Sequence, residues 1–162
     1  MNVLTSKEAV RIIDQVGEVF KPLPHLPKWL VGILVTILPF FAGLVGLFGV
    51  VDTVALLPYL AKVDLMQNEY RKQGLIIDWT SPYFIMLVLS TLIIGVLYLV
   101  SVRHLFKRHS VGWVYVFWGN VVGVIQLILG VVVEGKGLIS TLLMILVGFY
   151  VLFEMRPRFS NK

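Results

Sequence analysis

Cysteine is absent from the 162 residues, which excludes disulfides, thiolate nucleophiles, iron–sulfur ligation and thiol redox switching. Charge is scarce as well. Asp, Glu, Lys and Arg make up 14% of the chain, and neither they nor the three histidines enter four long stretches: 29–51 (23 residues), 79–102 (24), 110–133 (24) and 137–153 (17). Proton-coupled carriers, voltage sensors and haem-bearing bundles place ionisable or ligating groups at depth, so this deficit weighs against all three classes. The sequence shows no nucleophile–base constellation, phosphate-binding glycine loop or zinc signature. An enzyme is therefore the weakest class, with no catalytic residue, metal ligand or cofactor to name.

What fills the four stretches is apolar. Hydrophobic residues reach 58% and the mean hydropathy is +0.90. At about 1.5 Å rise per residue the first three stretches extend roughly 34–36 Å as helices, enough to cross a hydrocarbon layer about 30 Å thick, and the fourth is at the short limit. One such run fits a buried soluble helix, but four in 162 residues leave too little polar sequence to cover them in water. Backbone groups in lipid pair within their own segment, and the alternation of barrel strands is missing. The sequence therefore predicts an all-α integral membrane protein. It has a four-transmembrane-helix bundle at 29–154, an N-terminal amphipathic interfacial helix and connector within 1–28, an outer connection at 52–78 and a basic tail at 155–162. The N-terminus lacks the basic, apolar, small-residue order of a cleaved signal, so the first span is expected in the mature protein.

With four spans, residues 1–28, 103–109 and 154–162 share one side and 52–78 and 134–136 the other. The first side holds ten basic residues and the second four (Lys62, Arg71, Lys72 and Lys136). Positive flanks are retained in the cytoplasm, which predicts both termini there. The net charge of +5 is distributed beside the spans rather than in a stripe, so it points to orientation and anionic lipid headgroups, not to nucleic acid. Trp29, Trp79, Trp113 and Tyr150 lie near span ends, where amphipathic rings suit the headgroup layer. Thr80-Ser81-Pro82 reads as a helix start, and 134–137 (Glu-Gly-Lys-Gly) as a tight turn joining the last two spans.

Thr5-Ser6-Lys7-Glu8 fits a capping box opening an amphipathic helix. Ala9, Ile12, Ile13, Val16, Val19 and Phe20 share its apolar face, which either covers the end of the bundle or meets lipid or a partner. Pro22, Pro24 and Pro27 make 21–28 a stiff connector. In the outer connection a short helix is expected over the polar segment 64–73; Asp52, Asp64, Glu69 and Asp78 match no calcium loop and read as solvated.

Small residues are the most specific internal signal. Gly32, Thr36, Pro39, Gly43, Gly46 and Gly49 are expected to share one side of the first span, and Gly112, Gly119, Gly123 and Gly130 align on the third. Thr91 with Gly95, and Thr141 with Gly148, offer weaker small positions. In lipid, helices associate through close packing rather than a hydrophobic gain, so such faces serve either the bundle's own packing or an oligomer contact. Pro39 is expected to kink the first span. Asn120 and Gln126, the most polar side chains within the spans, point to interhelical hydrogen bonds ahead of a permeation path. His104 and His109, five apart, miss the i,i+4 spacing of a helical metal pair, and Glu134 and Glu154 mark span ends.

Gly112-Trp113, Phe117-Trp118, the run 148–156 (Gly-Phe-Tyr-Val-Leu-Phe-Glu-Met-Arg) and Leu26-Pro27-Lys28 before a proline-bearing first span together resemble a set of small uncharacterised four-span bacterial membrane proteins. The resemblance implies the four-span layout and the bacterial cytoplasmic membrane, and it brings no activity with it. The functional expectation is a non-catalytic accessory, assembly or scaffold subunit acting through helix packing. Its partners would be membrane lipids and either further copies of itself or another membrane protein. The alternative is an oligomeric small-solute channel or transporter with Asn120 and Gln126 on its path.

Overall fold

The computed structural model describes residues 6–60, 62–72, 81–134 and 137–159. It contains six α-helices among those residues: α1 (Lys7–Glu18), α2 (Lys28–Leu56), α3 (Val63–Lys72), α4 (Ser81–Phe106), α5 (Ser110–Glu134) and α6 (Leu138–Met155). Short 3₁₀ turns follow α2 at Leu57–Tyr59 and α6 at Arg156–Arg158. Of these helices α2, α4, α5 and α6 are long and apolar enough to cross a membrane. The longest is α2 with 29 residues and the shortest α6 with 18.

The four long helices run up and down in turn, with α4 packed between α2 and α5. Contacts pair Gly49 with Thr91 and Gly46 with Leu99 across α2 and α4, and Gly130 with Tyr83 and Gly112 with Leu105 across α5 and α4, so each pair is antiparallel. Helix α6 meets α5 and, over a shorter stretch, α2. The main core lies toward the α1 end, where Val31, Val35, Leu38, Ala42, Trp113, Phe117, Leu152 and Met155 come together. A smaller cluster of Phe84 and Val88, backed by Leu56 and Leu60, closes the opposite end. Outward faces are apolar: Phe41, Leu44 and Phe48 on α2 and Ile139, Leu143 and Met144 on α6 are each more than half exposed.

Several boundaries differ from the sequence expectation. Helix α2 continues through Asp52 to Leu56, so the outer connection starts later than residue 52. A charged residue is tolerated there because Asp52 faces outward while its neighbour Thr53 is buried, its hydroxyl donating to the Gly49 carbonyl at 2.7 Å. Pro58, which lacks an N–H, then sits in the first turn of the 3₁₀ segment. Pro39 is buried within α2, which runs on past it. The N-cap of α1 is Ser6, whose hydroxyl accepts from the Ala9 amide at 3.3 Å, one residue later than the Thr5–Glu8 box requires. Thr5, Trp79, Thr80, the acidic Asp78 and the turn residues 135–136 lie outside the described residues.

Helix α1 covers the end of the bundle with only part of its apolar face. Ala9 and Ile13 are buried, and Phe20 stacks on Phe153 with ring centroids 5.4 Å apart, whereas Ile12 and Val19 remain 47% and 66% exposed. A Cβ on Gly17 would lie 3.0 Å from Cε1 of Phe153, so the missing side chain is what lets α1 approach that ring.

The link from α4 to α5 is a Schellman turn. Arg108 takes φ 53°, its N–H donates to Leu105 at 2.9 Å, and the His109 N–H donates to His104 at 2.9 Å. That turn brings the His104 and His109 rings to 6.4 Å, which their spacing on a continuous helix would have kept apart.

Candidate functional site

Two features concentrate the non-aliphatic side chains of the spans: the seams along α4, and a clasp at the α1 end. Hydroxyls inside the helices are satisfied locally. Thr36, Ser90, Thr91 and Ser101, like Thr53, donate to carbonyls three or four residues back on their own helix, as lipid or a dry core demands.

The first seam is where α2 crosses α4. A Cβ placed on Gly46 would lie 2.8 Å from the Leu99 amide nitrogen and 3.0 Å from the Gly95 carbonyl oxygen. On Gly49 it would lie 3.1 Å from Cα of Gly95. The two backbones are therefore in direct contact, with Gly95 supplying the α4 side. Gly32 and Thr36 are not part of this crossing: both are exposed, and nothing lies within 4 Å of a Cβ at Gly32. Gly43 only reaches ordinary contact with Val102, at 3.8 Å. The buried stripe of α2 (Val31, Val35, Leu38, Ala42, Gly46 and Thr53) is centred roughly 60° around the helix from the glycine side, which is why that side splits.

The second seam keeps its alignment. Gly112, Gly119, Gly123 and Gly130 all face α4, at Leu105, Tyr98, Ile94 and Tyr83 respectively. The approach is closest at Gly112, where a Cβ would be 2.7 Å from the Leu105 nitrogen, and at Gly119, where it would be 2.5 Å from the Tyr98 ring. At Gly123 the nearest atom is 3.8 Å away and at Gly130 3.4 Å, so those two positions have room.

Asn120 and Gln126 flank this seam and both donate to α4. The Asn120 amide gives one N–H to the Tyr98 hydroxyl at 2.9 Å and one to the Val116 carbonyl at 2.8 Å, and Gln126 donates to the Thr91 hydroxyl at 3.3 Å. Asn120→Leu removes the shorter interhelical bond and is expected to cost about 0.6–1.7 kcal/mol. Reversible unfolding in mixed micelles measures it; an unchanged midpoint would show that Tyr98 finds another partner at no cost.

The clasp is built on the end of α6. A helix terminus leaves its last carbonyls without intrahelical donors, and Pro157 has no N–H to offer. The buried Trp113 fills one vacancy, its indole N–H donating to the Leu152 carbonyl at 2.9 Å. Trp113, which the sequence places near a span end at headgroup level, is thus a buried, packed hub, whereas Trp29 is 67% exposed. Its ring stacks on Phe117 at 5.7 Å and meets Phe153 at 5.4 Å, while the Arg156 guanidinium lies 5.3 Å over it and pairs with Asp14 of α1. Glu154 holds the connector from the other side, accepting from the Leu26 amide at 3.0 Å and meeting Nδ1 of His25 at 2.9 Å. The Tyr150 hydroxyl donates to the Pro24 carbonyl.

No protein-family model, curated protein or solved structure matches the chain. The chemistry open to it is read from its own side chains. Among the described residues no three or more of His, Asp and Glu gather where a metal ion could be held. Gln126, Thr91 and Asp52 line a shallow groove of about 490 Å³ between α2, α4 and α5, together with Phe41, Leu44 and Phe48. Asn120 does not line it; its amide is turned to Tyr98 and the Val116 carbonyl. Gly95, Tyr98 and the Trp113 and Glu154 contacts carry more of the packing than the sequence indicated. The one sequence signal for Tyr98 was that a phenol within an uncharged span requires a hydrogen-bond partner.

Proposed function

We propose that this is a non-catalytic integral membrane protein of the bacterial cytoplasmic membrane, with both termini in the cytoplasm, acting as an accessory, assembly or scaffold subunit. The observation that carries the reading is how its side chains are used. Asn120, Gln126 and the close-packing glycines Gly46, Gly49, Gly95, Gly112 and Gly119 are spent within the chain, on the α2–α4 and α4–α5 contacts, while the faces turned outward are mainly apolar and keep small residues at Gly32, Thr36 and Gly148. Such a surface suits lipid tails and the helices of a second copy or another membrane protein. The exposed Ile12 of α1 and Val19 just after it suit a headgroup layer, and the excess of basic residues at that end supports its cytoplasmic placement. Bacterial membrane placement draws on the resemblance of 112–118 and 148–156.

Photo-crosslinking residues at Phe48 and Met144, activated in native membranes, test this reading. A discrete adduct of constant mass is the expected result. Purified protein in liposomes gives the opposing outcome: selective solute flux abolished by Gln126→Leu would replace the accessory role with the channel alternative. The cysteine-free sequence also permits Arg108→Cys to be labelled without background. Its reaction with an impermeant maleimide in intact cells would overturn the orientation.

A further inference from the structure

We propose that the cleft between α1, the start of α5 and the turn that follows α6 binds the phosphate headgroup of an anionic glycerophospholipid, an inference that rests on the membrane placement proposed above. The cleft encloses about 660 Å³. Val10 and Ile13 of α1, Val111 and Val114 of α5 and Phe159 give it apolar walls, and Arg156, His109 and Ser110 supply polar groups. Among the described residues no Asp or Glu lines it.

The combination selects the ligand class. A free inorganic anion gains nothing from valine, isoleucine and phenylalanine walls, and a purely apolar molecule gains nothing from a guanidinium; an amphiphile with an anionic head uses both. Arg156 is held in place for this task by its position over the Trp113 ring and by Asp14, which takes one of its five N–H donors and leaves others for a phosphate oxygen. Depth agrees as well. The cleft sits within the first turn or so of α5, where the uncharged stretch begins, so in a bilayer it lies at the level of the headgroups with acyl chains running along the span. This end of the protein carries ten basic residues against four acidic ones (Glu8, Asp14, Glu18 and Glu154), a surplus that draws anionic lipid toward it.

Native mass spectrometry of the purified full-length chain in mild detergent tests the site, with phosphatidylglycerol and phosphatidylcholine of identical acyl chains as probes. One phosphatidylglycerol retained per chain, about five-fold over phosphatidylcholine, is expected for one basic side chain acting near a membrane surface. Arg156→Gln should abolish the preference. Val10→Trp fills the cleft from a partly exposed position of α1 and should remove the adduct with the melting temperature unchanged. Should Arg156→Gln fail to fold, Val10→Trp decides alone. Equal retention of the two lipids, or undiminished phosphatidylglycerol on Val10→Trp, overturns the inference. So does displacement by millimolar inorganic phosphate, which would assign the cleft to a soluble anion. Partition into the detergent phase on clouding reads membrane placement separately, so a chain that partitions yet retains no lipid fails only here.

Discussion

Gly95→Val is expected to destabilise the bundle by about 3 kcal/mol, at the upper end of what overpacking costs. The reason is the identity of the opposing atoms. A Cβ at Gly95 would meet the Val50 nitrogen at 3.0 Å, the Gly46 carbonyl oxygen at 3.2 Å and the Gly49 carbonyl carbon at 3.2 Å. A flexible side chain can swing aside, but these are backbone atoms of α2, and they retreat only if the whole helix does. Separating the helices would forfeit dispersion contact along the crossing and the short Cα–H···O approaches that go with it. Gly32→Ala is the matched control: nothing lies within 4 Å of the added methyl, and alanine is about 1 kcal/mol better than glycine within a helix. Unfolding in mixed micelles should therefore move the two variants in opposite directions. If Gly95→Val unfolds with the unmodified protein, the crossing is not where the fold is held.

Trp113→Ala should cost about 3–5 kcal/mol, the range for emptying a buried aromatic site. Only 2% of Trp113 is exposed, and it is the common neighbour of Phe117, Phe153 and Arg156. Trp113→Phe separates the contributions. It keeps an aromatic ring while leaving the Leu152 carbonyl without its indole donor, which corresponds to about 1–3 kcal/mol for a buried unsatisfied group. Because the Arg156 guanidinium bridges Trp113 and Asp14, the alanine variant should also loosen α1, seen as faster amide exchange over Ile13 and Val16. Trp29→Ala, at an exposed ring, should leave the melting temperature nearly unchanged. Equal losses at Trp29 and Trp113 would contradict the hub.

The four long helices were legible because uncharged apolar runs of 17 to 24 residues, four times in 162, leave too little polar sequence to cover them in water. Their ends were less so. Asp52 looked like a boundary, yet an outward-facing carboxylate near a helix end can reach polar surroundings without interrupting the backbone ladder. The aligned glycines of α5 all face one neighbour, because four residues in one narrow sector are presented to the same side of the helix. Those of α2 are spread more widely around the helix, so Gly46 and Gly49 enter the crossing while Gly32 and Thr36 stay outside. Composition indicates that small residues permit close approach, but not which neighbour arrives; Gly95 looked minor until α2 was set against it. The Trp113–Leu152 and Glu154–Leu26 bonds were invisible for a different reason. Each satisfies a backbone group left vacant at a helix end or in the connector, and only the tertiary arrangement shows which side chain reaches it.

The unequal helices have a consequence for any bilayer that houses them. At about 1.5 Å per residue the uncharged part of α2 (29–51) is roughly 34 Å long and that of α6 (138–153) roughly 24 Å, on either side of a hydrocarbon thickness near 30 Å. The long member must tilt or protrude, and the short one must draw the lipid beside it inward, at a fraction of a kcal/mol per Å of mismatch. Lipid around the protein is therefore expected to be thicker along one flank than the other, and that uneven collar would favour neighbours able to cover the α6 side.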